Sequence, residues 1–259
     1  MIVKAYKTTT LLLKVPEIPA ALTTLERLKI DSEWGIVNSP NLLQLIQMNK
    51  NLKTLELFLP TDQITIALSE RINLQFLQNL TLALFKMNPK NQKQIKDLQM
   101  SLLNFKHVEK LDLRLDAFFV DCLRSVLKTL QQFSNLKKLC FIAINSGEIE
   151  DQKFSKFKDL FKKLPDLQSL ELDFEAELVN SRELTSLVDG LAFLQNLEAF
   201  NFKASLVKIS PTALTKFVSL LESSRKIREI KVQVKGLNSD EKEKLQKISE
   251  RGYEFWEDI

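Results

Sequence analysis

NLKKLCFIAI, residues 135–144, starts polar and then sets apolar side chains at Leu136, Leu139, Phe141 and Ala143. That alternation is what a strand buried on one face requires. Nearly the same arrangement stands at NLKTLELFL from Asn51 and at DLQSLELDF from Asp166. Aligned on the first apolar residue of x-L-x-x-L-x-L-x-L, the chain supplies eight anchors: Leu25, Leu52, Leu77, Val108, Leu136, Leu167, Leu197 and Ile227. Successive anchors lie 25 to 31 residues apart, and apolar residues return three and five places after each, from Leu28/Ile30 to Ile230/Val232. Self-similarity at a near-constant period marks a solenoid, in which each unit buries its apolar face against its neighbours.

Between the strand patterns the apolar period changes from 2 to 3.6. Leu123, Leu127 and Leu130 fall on one helical face, as do Phe154, Phe157, Leu160, Phe161 and Leu164, and then Leu184, Leu187, Val188 and Leu191. Pro211, suited to a first helical turn, precedes Leu214, Phe217, Val218 and Leu221. Each unit therefore reads as one strand and one helix.

These units resemble leucine-rich repeats of the long, helix-bearing kind typified by ribonuclease inhibitor. The resemblance spans about residues 22–235 and concerns fold, since function lives in sites carried by a fold. One departure is plain. Where the family places Asn or Cys after its spaced leucines, this chain has Glu33, Pro60, Phe85, Asp116, Ile144, Glu175, Ser205 and Lys235. Without that ladder, irregular turns are expected after the strands, their backbone satisfied by water or neighbouring loops.

The expected fold is an α/β leucine-rich-repeat solenoid with a curved parallel sheet on the concave face, helices on the convex face, and about eight repeats plus terminal caps. Strands stack about 4.8 Å apart while helices need roughly 10 Å, which implies about 25° per unit and a sheet about 35 Å across. A single domain over residues 1–259 is expected, with an N-terminal cap at 1–21, repeats at 22–235 and a C-terminal cap at 236–259. The β-prone stretch Lys7 to Val15, a capping box at Asp240 and Glu243, a helix-ending Gly252 and a further strand around Tyr253 and Phe255 support the caps.

Composition narrows the chemistry. The single histidine, His107, has neither a serine elbow nor a second metal-ligand motif beside it. Cys122 and Cys140 are too few to staple 259 residues and lack zinc spacing. Cys140 points to the concave face, where a small semi-apolar residue is a simpler reading than a reactive thiol. Five glycines and no phosphate-loop motif argue against nucleotide binding. The sequon at Asn79 opens a buried strand and reads as accidental. No catalytic, cofactor or metal site is expected, nor a small-molecule substrate.

What remains is surface. Residues between the spaced leucines line the concave sheet, and resemblance to the family implies partner binding there. The candidate partner-binding residues are Lys29, Glu56, Phe58, Asp112, Arg114, Cys140, Ile142, Glu171, Asp173, Asn201, Lys203, Lys231 and Gln233, with Asp31, Thr81 and Ala83 in the same columns. Mixed signs with apolar members suit a protein better than a polyanion. Glu171, Asp173 and Glu175 alternate along one strand and read either as an acidic patch or as a solvated strand face. The net charge of +4 is traced to Lys86, Lys90, Lys93 and Lys96 and to Lys153, Lys156, Lys158, Lys162 and Lys163 on helices.

The expectation is a non-enzymatic protein-interaction scaffold, a structural or adaptor subunit of a larger intracellular assembly. Two alternatives stand behind it: a ribonucleoprotein subunit touching RNA through basic surface, or a regulatory inhibitor of an enzyme. With some 20 residues before the first repeat, an F-box is not expected. No run of 18 apolar residues or leader-like segment occurs, so an intracellular site, cytoplasmic first with nucleus or organelle left open, is expected without membrane insertion.

Overall fold

In the computed structural model the described residues are 4–5, 25–31, 39–60, 68, 72, 74–85, 91–116, 120–144, 153–224, 226–235, 238–241, 243 and 254–256. The fold is α/β with parallel strands. The chain groups into two compact units, Met1–Leu136 and Lys137–Ile259.

The first unit holds β1 (Lys4–Ala5), β2 (Arg27–Asp31), α1 (Ser39–Met48), β3 (Thr54–Pro60), β4 (Asn79–Phe85), α2 (Gln92–Leu103), β5 (Lys110–Asp116) and α3 (Val120–Leu130). Each of its strands pairs in parallel with the next, and Leu28, Leu55, Leu80 and Leu111 stand in one row across β2 to β5. The second unit holds β6 (Lys138–Ile144), α4 (Lys153–Phe161), β7 (Ser169–Val179), α5 (Ser181–Leu191), β8 (Ala199–Leu206), α6 (Pro211–Ser223), β9 (Glu229–Lys235) and β10 (Glu254–Trp256). Here Leu139, Leu170, Phe200 and Ile230 form the corresponding row, and β10 pairs with β9.

Every strand from β2 to β9 begins two residues after one of the sequence anchors, and every anchor is buried. The cause is a turn that recurs before the strands. From Leu52 onward the anchor amide donates to the carbonyl three residues back, as Leu77 does to Leu74 and Leu167 to Leu164. The carbonyl after the anchor then accepts two amides from the next strand's start: Lys53 from Gln78 and Asn79 at 2.9 and 3.0 Å, and Gln168 from Glu198 and Ala199 at 2.7 and 3.0 Å. Within each unit neighbouring starts are thereby locked in step, and a one-residue slip would exchange the two faces of a strand.

Two expectations about strand ends are corrected. Pro60, Phe85, Asp116, Ile144, Ser205 and Lys235 are not turn residues; they lie in the strands, where Pro60 pairs with Phe85 and Ser205 with Lys235. The strands run through the positions at which irregular turns were expected. Glu175 also lies in a strand, and the irregularity foreseen there is a register shift, with Phe174 opposite Ala204 but Leu178 opposite Ser205. The extra residues are accommodated as a bulge in β7. Glu33 lies outside the described residues.

The helices cover the buried row with the faces expected of them. In α4 and its following turn, Phe154, Phe157, Leu160, Phe161 and Leu164 are all buried; in α6 Leu214, Phe217 and Leu221 are, while Val218 is only half-buried. Phe157 meets Phe141 edge-on at 5.5 Å and Phe174 at 5.8 Å, and Phe202 meets Phe217 at 6.1 Å. Edge-to-face pairs of this kind add about 0.5–1.5 kcal/mol each beyond their area. Asn180 and Glu183 form a reciprocal capping box at α5, and Ser210 caps α6 with Pro211 in the first turn.

Near the C-terminus the capping box joins Asn238 and Glu241, each side chain accepting the other's backbone amide at 3.0 and 2.9 Å, and not Asp240 and Glu243. Of the expected terminal caps, Phe255 lies in β10, whereas Lys7 to Val15, Gly252 and Tyr253 lie outside the described residues.

Candidate interaction surface

Strand alternation presents one row of side chains to the helices and the other to the open face of the sheet. Lys29, Glu56, Phe58, Asp112 and Arg114 of the first unit sit between buried neighbours on that open face and are half-buried. Cys140, Ile142, Glu171, Asp173, Asn201, Lys203 and Lys231 do the same in the second unit, and Gln233, half-buried as well, follows the buried Val232. Ala83 departs from expectation: it is 1% exposed, a methyl group between the larger Phe58 and Arg114 in the register.

The charges on this face are spent largely on one another. In the first unit the Arg27 guanidinium donates to Glu56 through Nε at 3.0 Å and through Nη2. Arg114 grips Asp112 on its own strand through both carboxylate oxygens, at 3.1 and 2.9 Å, and Lys29 Nζ lies 4.6 Å from the centre of the Phe58 ring. In the second unit Lys203 pairs with Asp173 at 3.5 Å across the ladder and Lys231 with Glu229 at 3.3 Å along its strand. Glu229 was absent from the expected set, although its place two residues before Lys231 puts both on one face. The carboxylates of Glu56, Asp112 and Asp173 are sheltered, at 14, 13 and 17% exposure, while the guanidiniums of Arg27 and Arg114 are 52 and 43% exposed. The more exposed cations on this face therefore already have a countercharge in place. The acidic alternation of β7 is likewise broken by Lys203; the side chain of Glu175 lies outside the described residues.

The helical lysines are partly committed as well. Asp189 on α5 receives Lys216 from α6 and Lys158 from α4, the latter at 3.6 Å. The Lys216 hydrogen bond, aided by both ammonium charges, holds the Asp189 carboxyl below the usual range. Lys162 lies 3.9 Å from Asp159 and 5.2 Å from the centre of the Phe193 ring. Lys86 and Lys90 lie outside the described residues, as does the side chain of Lys153.

Residues with reactive chemistry have structural surroundings. His107 Nε2 meets the Leu74 carbonyl at 2.8 Å, a contact that requires this nitrogen to carry the proton and that ties two successive turns together. Neither cysteine forms a disulfide; Cys122 is fully buried, and burial pushes its thiol up to about 12. The Asn79 amide donates to Thr54 Oγ1 at 3.2 Å within the sheet. Among the described residues no group of three or more His, Cys, Asp or Glu side chains is placed to hold a metal ion, and no helix is long and apolar enough to cross a membrane.

No family model matches the chain, and no curated protein matches it.

Proposed function

We propose that the chain is a leucine-rich-repeat-like solenoid of about eight repeats that acts as a non-enzymatic protein-interaction scaffold, a subunit or adaptor of a larger intracellular assembly, docking its partner on the open face of the sheet. The observation that carries this reading is the internal pairing of that face. Glu56, Asp112 and Asp173 each have a basic neighbour within the chain, so the surface is rich in hydrogen-bonding groups without a continuous field of one sign. A polyanion is held by lysines and arginines that displace its condensed counterions, and a cation already bonded to a carboxylate neutralises less of the polyanion's charge and displaces fewer of them. Phe58 in the first unit and Ile142 in the second each supply apolar contact amid polar groups of their own unit, the composition of a protein interface.

The test is association of the purified chain with its partner from native extract. Replacing Phe58 and Ile142 together by Asp should weaken that association by at least about tenfold, since buried interface anchors contribute about 2 kcal/mol or more. Charge reversal at Lys156 and Lys162 should leave it intact. The opposite pattern, with steep loss of binding on adding salt, would transfer the binding surface to the helices and favour RNA.

A further inference from the structure

The recurring turn has a plug. Three residues before the anchor, the side chain is apolar and buried at Leu74, Phe105 and Phe133 in the first unit and at Leu164 and Leu194 in the second. Asn49 fills the same place with a buried amide bonded to Leu25 N and Leu45 O, both at 2.7 Å. At the turn before β9 the residue is Ser224, too small to plug anything, and its hydroxyl turns back to donate to the Leu220 carbonyl at 2.7 Å.

Beside Ser224 lies a cavity of about 430 Å³ walled by Leu191, Leu194, Leu197, Phe200, Leu221 and Ile227. It lies at the strand starts of the second unit, apart from the open-face residues. Among the described residues its polar lining is Gln195, Ser224 and Lys226, with no carboxylate. Lys226 is exposed and gives one hydrogen bond, at 3.1 Å, to the neutral Asn196 Oδ1; Asp166 reaches only the amide nitrogen of that asparagine, at 3.4 Å. An apolar cavity of roughly 150 Å³ holds one benzene, so this one has room for a chain on the order of a dozen carbons. Apolar walls with a few placed polar groups are the usual make-up of a small-ligand site.

We propose that this cavity binds an amphipathic monocarboxylate, its hydrocarbon chain in the space left by the missing plug and its carboxylate on Lys226. Lys226 has no carboxylate partner among the described residues, and a charge-assisted hydrogen bond from it would fix the ligand's direction. The site is independent of the protein-docking face.

Calorimetric titration of the full chain with decanoate, and with decanol as the uncharged arm, tests the proposal. Saturable one-to-one binding of decanoate is expected. Ser224→Phe restores the plug, so it should abolish binding of both compounds and raise the melting temperature of the unliganded protein; Ser224→Leu serves if the larger ring prevents folding. Lys226→Met should weaken decanoate about tenfold and leave decanol unchanged within about twofold. Absence of saturable binding up to about 1 mM, the weakest affinity expected of a specific site, would overturn the proposal. So would plugged variants that bind as the parent does, or a Lys226→Met variant that binds decanoate undiminished.

Discussion

Gly190→Ala should destabilise the protein, although the same change in an exposed helix interior stabilises by about 0.8–1 kcal/mol. Gly190 lies in α5 against α4. A β-carbon there would stand 3.0 Å from Phe161 Cδ2, 3.1 Å from Lys158 Cα and 3.3 Å from Lys158 N. None of these atoms yields easily. Phe161 is fully buried with Phe157 at 5.7 Å, and the Lys158 atoms belong to the backbone of α4. Relief requires the two helices to separate, and overpacking of this kind costs about 1–3 kcal/mol. Set against the propensity gain, the balance is a loss of about 1 kcal/mol, or about 2–4 °C in melting temperature for a chain of this size. Thermal unfolding followed by circular dichroism gives the answer, and Phe161→Ala as a second background should shrink the penalty because one of the obstructing groups is gone. A Gly190→Ala variant that melts higher than the parent would refute the close approach of α4 and α5.

The cysteines should differ sharply towards a thiol reagent at pH 8: Cys140 is half-buried on the open face and should react in the native state, whereas Cys122, fully buried with its thiol pushed up to about 12, should react only on unfolding. Equal labelling of both in native protein would contradict the burial of α3. Asp189 has its pKa lowered by Lys216 first and Lys158 next, so its contribution is complete above the unfolded value near 3.9 and is lost as pH falls through the lower folded value. The carboxylate is about a third exposed, which keeps the effect below about 1 kcal/mol; Asp189→Asn should melt lower than the parent at pH 6 and equally at strongly acidic pH, and a gap that widens on acidification would reverse the sign argument.

Much of this fold is legible because two independent constraints agree. The period-2 alternation at Leu28/Ile30 against Lys29/Asp31 fixes which face is buried, and the turn before the anchors from Leu52 onward fixes where those strands start. Spacing alone does not locate the terminal capping box, because Asn238/Glu241 and Asp240/Glu243 share it and the sequence does not say where the chain leaves β9. The bulge in β7 follows from residues inserted between two segments that both pair with β8, which local propensity does not register. On the open face, membership was readable from the strand period, but pairing was not: whether Arg27 reaches Glu56 depends on rotamers and on diagonal neighbours across the ladder. The cavity was readable in principle, since Ser224 stands out in the column of Leu74, Phe105, Phe133, Leu164 and Leu194.

Hydroxyl-radical footprinting of the native complex tests the docking face most directly, because it reports side-chain shielding residue by residue. Phe58 and Ile142 are half-buried on the open face, while Met100 and Phe193, at 48 and 39% exposure, lie on α2 and just beyond α5. The account predicts that complex formation lowers oxidation of Phe58 and Ile142 and leaves Met100 and Phe193 as reactive as in the free chain. Protection of Met100 and Phe193 with Phe58 and Ile142 unchanged would contradict it.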